Sequence, residues 1–505
     1  MKVAIVCDWL TSVGGAERVL KSITELFPEA PIYTSQYNQK KIDWFKDSDV
    51  RVGWLQIFPT SLRRFLGPLR QAYFNHLDLS GYDLIISVTG AEAKSVKKGN
   101  ALHLSYCHVP TQYYWGMKDD YLKNPGFGIL NPVARLGLKL FLPPLKNADY
   151  KAAQRPDEFI TISTYAAEQI KKAYNREATI IFPPVAVEKF STKEFSTSRE
   201  TIKQEKSQAK KTEQKIYTNT INSIKSQIDE SEGRYGFVTT SRQVNWKRLD
   251  LAIEACLALK VPLTVIGEGP EHKNLVKLAK KSKLIKFVPL TDQAGLKSYL
   301  EKAEGYIFPS LEPFGIAPVE ALACGCPVIA YGNGGALDYV IDGENGVLFG
   351  KQSVNSLRQA LKRFQTLKFD EAKVRASALP FSEERFTKEL KTFILEKIKQ
   401  KKEIKSENVK QGNKINEKKV KSTPKPEPKP KPKSEPKPEQ KPVKNALVVD
   451  SPKPVIKYKQ VKPAEKPKKK AKSKKPKKSV KLAKLPAPAP KPADPGKPKL
   501  TIKID

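Results

Sequence analysis

Short, uninterrupted apolar runs recur along the first part of the chain, and each leads through a loop into a helix-like stretch. Val3-Ala4-Ile5-Val6 is the first, followed by a loop over 11–15 and a helical pattern over 16–27. Leu84-Ile85-Ile86-Ser87-Val88, Leu102-His103-Leu104-Ser105-Tyr106 and Phe159-Ile160-Thr161-Ile162 follow, the last leading into a helical pattern over 166–174. Strands that are apolar throughout, instead of alternating, are covered on both faces, so they predict a parallel sheet between helices. After a polar stretch the rhythm restarts. Phe237-Val238-Thr239-Thr240, Leu263-Thr264-Val265-Ile266, Ile285-Lys286-Phe287-Val288, Gly305-Tyr306-Ile307-Phe308 and Val328-Ile329-Ala330 are the strands of this second half. Two doubly wound halves with a cleft between them are the expected architecture.

Composition sets the boundaries. Residues 1–190 form one predicted Rossmann-like domain and 234–380 the other, closed by a helix over 381–399. Residues 191–233 are rich in Lys, Ser, Thr, Glu and Gln and read as a polar insert or linker. From 400 to 505 the chain turns to Lys, Pro, Glu and Ser. That stretch holds 34 Lys against 10 acidic residues, an excess of 24 within a formal net charge of +38. It has too little apolar surface to offset the entropy of ordering and is expected to be a disordered tail, extended where Lys-Pro and Glu-Pro alternate. The excess charge suits phosphate-bearing partners.

The five cysteines (Cys7, Cys107, Cys256, Cys324, Cys326) form no Cys-x-x-Cys pair, so reduced thiols are expected rather than a disulfide framework or a metal hook. The apolar run at Val3–Val6 is broken by Asp8, which predicts no secretory leader. The stretch 127–145 is interrupted by Arg135, Lys139 and prolines, which predicts no transmembrane helix.

Four segments carry chemistry. The densest is Pro309-Ser310-Leu311-Glu312-Pro313-Phe314-Gly315-Ile316-Ala317-Pro318-Val319-Glu320, continuing to Ala330. Glu312 follows a strand at its carboxyl end, where open α/β sheets bind ligands, and Glu320 sits on the helix that follows. The Phe314-Gly315-Ile316 turn offers backbone amides at that helix's start. Upstream, Ser241-Arg242-Gln243-Val244-Asn245-Trp246-Lys247 places two cations after a strand. Gly14-Gly15 lies between the first strand and its helix, and such a pair lets backbone approach a ligand closely. His108-Val109-Pro110 and the aromatics Tyr113, Tyr114 and Trp115 follow the strand ending at Tyr106. Asp47-Ser48-Asp49 lies in a polar stretch and reads as a solvated turn, and Gly267-Glu268-Gly269 lacks the third glycine of a dinucleotide loop.

Together these strings resemble retaining glycosyltransferase family 4, of the GT-B fold, over about residues 1–190 and 234–397. The combined pattern, with Tyr165 and Pro183-Pro184, is most similar to the family's mannosyltransferase branch for surface polysaccharide. The resemblance implies that Glu312 contacts the donor sugar and Glu320 the nucleotide ribose. It implies that Arg242 and Lys247 hold the diphosphate, and that Phe314, Gly315 and Ile316 present amides to it or to the sugar. It places Gly14 and Gly15 across the cleft, His108 beside the donor sugar with Tyr113, Tyr114 and Trp115 as an aromatic cluster that stacks on it, and Gly267 on a loop bordering the nucleotide. The implied activity is metal-independent transfer of a hexose, with mannose and GDP-mannose as the expected sugar and donor. No cofactor beyond that nucleotide sugar is expected, and the acceptor is a saccharide or a lipid-linked one. A nucleotide-sugar epimerase and a polyanion-binding protein are the rival readings.

The implied location is cytoplasmic, with peripheral contact to the inner face of the membrane. Residues 54–77 interleave Trp54, Leu55, Ile57, Phe58, Leu62, Phe65, Leu66, Leu69, Tyr73 and Phe74 with Arg63, Arg64 and Arg70. Such an element either lies in an anionic headgroup plane or packs its apolar face on the first domain. The tail, densest in Lys over 466–481, is expected to bind a polyanion or a partner protein.

Overall fold

The computed structural model describes residues 1–116, 131–190 and 234–420. The expected insert over 191–233 and the tail from 421 onward lie outside the described residues.

Two parallel sheets carry the fold. The first has the order β3-β2-β1-β4-β5-β6-β7 and the second β10-β9-β8-β11-β12-β13. In the first, β1 is Val3–Cys7, β2 Ile32–Thr34, β3 Val50–Val52, β4 Leu84–Thr89, β5 Leu102–Cys107, β6 Glu158–Thr161 and β7 Thr179–Ile180. In the second, β8 is Phe237–Thr240, β9 Leu263–Ile266, β10 Ile285–Val288, β11 Gly305–Phe308, β12 Val328–Tyr331 and β13 Gly346–Phe349. Every residue of β4, β5 and β11 is buried, as continuous apolar strands require. Strand order reverses beside β1 and β4 in one sheet and beside β8 and β11 in the other, with β1 pairing β4 and β11 pairing β8. Crevices open at the carboxyl ends of strands at such switch points. The loops after these four strands therefore define where a ligand sits.

The predicted strands are all present. β2, β3, β7 and β13 are additional. Each has at most four residues, too few to show a period.

The closing helix is longer than the expected 381–399 and runs Glu383–Val420. Its first half buries Phe386, Leu390, Phe393 and Ile394. It returns to the first domain, where Lys397 Nζ meets Glu158 Oε1 at 2.7 Å. Beyond Lys399 the sequence is rich in Lys and Glu and, Gly412 apart, meets no helix breaker before Pro424.

The basic stretch 54–77 forms two short turns, Trp54–Ile57 and Thr60–Phe65, and the helix Gly67–His76. Arg70, expected at a surface, is 1 % exposed. Its Nε donates to Glu92 Oε2 at 2.9 Å, and Glu92 is itself fully buried. A buried ion pair, not a headgroup contact, explains this arginine. The remaining apolar side chains divide: Leu55 and Phe74 are in the core, while Trp54, Ile57, Leu62 and Leu69 are exposed. The helix Asn131–Ala152 contains Pro143 and Pro144, and no described helix is long and apolar enough to cross a membrane. All five cysteines are buried and unpaired.

Candidate active site

β8 and β11 lie side by side, so the loops at their carboxyl ends meet. Lys247 ends a single helical turn, Asn245–Lys247, and Glu312 follows β11. Lys247 Nζ lies 2.5 Å from Glu312 Oε1, and Ser310 Oγ donates to the same oxygen at 2.7 Å. Both charged side chains are about one-fifth exposed and face a cleft of about 890 Å³. First-domain residues Val109, Pro110, Gln112, Trp115, Tyr165 and Gln169 form its other wall.

The Ser241–Lys247 loop is braced from beneath. Gln243 is fully buried; its Nε2 donates to the Gly267 carbonyl at 2.5 Å, and its Oε1 pairs with His272 Nδ1 at 2.8 Å. Gly267 has φ +116°, and a Cβ there would stand 2.3 Å from the Ser241 carbonyl oxygen. Gly267 is thus a close-approach glycine under the Ser241–Lys247 loop, and it does not line the cleft itself. Arg242 is exposed on that loop.

Downstream of Glu312, Phe314 is buried and its carbonyl accepts from Tyr339 Oη at 2.9 Å. Gly315 has φ +94° and precedes the helix Ile316–Ala323, leaving backbone amides at the helix start. A Cβ on Gly15 would come 3.0 Å from Ile316 Cδ1, so the glycine loop of the first domain abuts this helix. Glu320 is 4 % exposed, and Arg18 Nη1 donates to its Oε1 at 2.7 Å.

His108 occupies a neighbouring, smaller pocket of about 310 Å³ with Asp8, Trp9, Glu17, Gln112 and Tyr113. Its Nε2 is buried and has no hydrogen-bond partner, and burial pushes its pKa down to about 4. The ring is therefore neutral near pH 7. Glu17 is also buried there, and desolvation raises its carboxyl to about 7 against the pull of Arg63. Asp8 is fixed by Thr89 Oγ1 at 3.0 Å and by the amides of Gly90 and Ala93 at 2.9 and 2.8 Å. Val109 and Gln112 line both spaces, which makes them neighbours.

The structure thus brings Glu312, Lys247 and the Phe314–Ile316 turn to one wall. Gly15 and Arg18 lie against that turn and its helix, and His108 is set in the adjoining pocket. The expected aromatic stack divides. Trp115 lines the cleft, but its Nε1 donates to Asp149 at 2.8 Å. Tyr113 donates to Glu92, and Tyr114 is buried. Tyr165 and the half-exposed Trp246 are the other aromatics on the cleft walls.

Three residues were missed by sequence reasoning. Ser310 and Arg18 touch the two glutamates directly. Arg63 donates to Thr11 and Ser12 of the glycine loop and lies 5.6 Å from the Trp9 ring. Burial pushes Arg63 down, Glu17 opposes this, and the charges of Arg242 and Arg70 add to the depression, so Arg242 is an electrostatic neighbour. Only Ser310 had a sequence signal, its place in the Pro309–Glu312 string.

Residues 220–378 match the family described as "Glycosyl transferases group 1". That match spans 159 of the 505 residues. The matched span contains Arg242, Lys247, Glu312 and Glu320. Among curated proteins, the chain is 31 % identical over 144 residues to the uncharacterized glycosyltransferase MJ1178 of Methanocaldococcus jannaschii, covering 28 % of this chain and 41 % of that one. It is 25 % identical over 376 residues to the alpha-1,3/1,6-mannosyltransferase alg2 of Schizosaccharomyces pombe, covering 66 % and 68 %. The two Rossmann-like domains match the crystal structure of Anabaena Alr3699/HepE in complex with UDP. The TM-score is 0.52 at 17 % identity, over 78 % of this chain and all of that one. That likeness shows the fold, two Rossmann-like domains of the GT-B type.

Proposed function

We propose that the protein is a retaining hexosyltransferase of the family 4 type, moving mannose from a nucleoside diphosphate sugar to a saccharide or lipid-linked acceptor. The observation that carries this reading is the 2.5 Å contact of Lys247 with Glu312 at the ends of two adjacent strands. Arg242 and Lys247 receive the diphosphate, so Lys247 exchanges a carboxylate oxygen for a phosphate oxygen. The exchange frees Glu312 to accept from a hydroxyl of the donor sugar. Amides of Phe314, Gly315 and Ile316 donate to the same ligand, Glu320 takes the ribose, and Gly14 and Gly15 face the diphosphate from the first domain. Gly267 borders the nucleotide by supporting the clamp loop.

As the diphosphate departs, the anomeric carbon becomes oxocarbenium-like. The two cations stabilise charge on the leaving group, with no obligatory metal in the scheme. The acceptor hydroxyl attacks from the leaving-group side and gives its proton to the departing diphosphate oxygen, so configuration is retained. Neutral His108 borders the transferred sugar. The fission-yeast mannosyltransferase relative supports mannose. Exposed Trp54, Ile57, Leu62 and Leu69 support an acceptor presented at a membrane surface on the cytoplasmic side.

The test is net sugar transfer against free sugar release, using GDP-mannose, UDP-glucose, UDP-GlcNAc and UDP-galactose with methyl mannoside as acceptor. Glu312→Gln is expected to lower transfer on the order of 100-fold without shifting the unfolding midpoint. Transfer by Glu312→Gln at near wild-type rate refutes the assignment.

A further inference from the structure

Arg18 belongs to the first-domain helix Gly15–Leu26, and Glu320 to the second-domain helix Ile316–Ala323. Their 2.7 Å ion pair therefore crosses between domains, joining residues 302 apart in sequence. The Glu320 side chain is 5 % exposed and that of Arg18 35 %. Removing the counter-charge from a carboxylate so deeply buried is costly. Arg18 uses Oε1; Oε2 has no hydrogen-bond partner among the described residues. Beside the pair, Gly15 leaves space that Ile316 fills, so the helix starts meet only when the two domains are close.

We propose that Arg18 is a positioning residue of the donor site: it balances and orients Glu320 from across the cleft, leaving Oε2 to accept from the hydroxyls of the nucleoside's ribose. This rests on the reading above that Glu320 serves the ribose. It also makes that serving group complete only when the domains have approached, which couples nucleotide binding to closure. The competing arrangement is a latch, in which Arg18 occupies a carboxylate that the ribose must win. The two differ in sign.

Calorimetric titration of the full-length protein with GDP and UDP, and with the 2′,3′-dideoxy form of whichever binds, separates them. Arg18→Ala is expected to raise Kd for the ribonucleotide about tenfold, with Arg18→Lys recovering part of the loss. Discrimination between ribo and dideoxy forms should collapse in Arg18→Ala. In a Glu320→Gln background, Arg18→Ala should change Kd less than threefold. Unchanged or tighter binding by Arg18→Ala overturns the proposal. So does a tenfold loss that persists in Glu320→Gln, or ribose discrimination equal to wild type. Wild-type protein that binds neither GDP nor UDP overturns the donor-site reading itself, and this proposal with it.

Discussion

Lys94→Met tests whether a buried ion pair holds the first-domain wall of the cleft. Lys94 and Asp149 have side chains 1 % and 0 % exposed, with Nζ 2.6 Å from Oδ1. Burial opposes the charge on Lys94, yet Asp149 holds its pKa above the ordinary lysine value. Asp149 also accepts from Thr111 Oγ1 at 2.9 Å, and from Trp115 Nε1 and Tyr174 Oη at 2.8 Å each. Two of these donors lie on the segment that runs into the cleft wall. Methionine keeps most of the lysine stem's volume, so the substitution removes charge more than packing. Breaking a buried pair costs about 3–5 kcal/mol, and the three hydrogen bonds left on Asp149 favour the lower end, about 3 kcal/mol. Urea unfolding followed by tryptophan fluorescence measures this, because Trp9, Trp44, Trp54 and Trp115 all belong to the first domain. Adding Asp149→Asn should restore at least about 1 kcal/mol by removing the orphaned charge. A Lys94→Met protein within about 1 kcal/mol of wild type, or a double variant no more stable than the single, refutes the reasoning.

Glu17→Gln should stabilise the protein selectively at high pH. The Glu17 carboxyl is raised by burial to about 7. A raised folded-state value gives stability that is complete below the unfolded value near 4.5 and is lost as pH climbs through 7. The loss is about 3 kcal/mol at most, so the variant's advantage in unfolding midpoint should be larger at pH 8 than at pH 5; a pH-independent difference contradicts this. Gly267→Ala should destabilise by about 2 kcal/mol or more, since φ +116° and the Ser241 carbonyl leave no room for a Cβ. It should weaken nucleoside diphosphate binding by moving the Arg242–Lys247 loop, and thermal unfolding with calorimetry on one sample reads both.

The sheets and the cleft wall that carries Glu312 and Lys247 were legible because their signals are local. A buried strand, a tight turn and a helix start lie within a dozen residues around Glu312, and the same holds around Lys247. What was not legible depends on pairing across long separations. Arg18 meets Glu320 across 302 residues, and Arg63 reaches Thr11 across 52. Arg70 fits an amphipathic surface pattern as well as it fits a core, and only the position of Glu92 decides between them. An aromatic cluster after a strand packs inward as readily as it faces a ligand, and Tyr113 and Tyr114 pack inward. Composition changes at Lys399, whereas helix propensity carries the closing helix on to Val420.

The central claim is that Lys247 leaves Glu312 to grip a diphosphate, and calorimetry of GDP and UDP with wild type and Lys247→Ala tests it most directly. Loss of one charge-assisted contact is worth about 1.5–3 kcal/mol, so Lys247→Ala should bind the preferred nucleoside diphosphate at least about tenfold more weakly. The corresponding nucleoside monophosphate, lacking the second phosphate, should show a smaller loss. Equal diphosphate affinity in the two proteins would contradict the account.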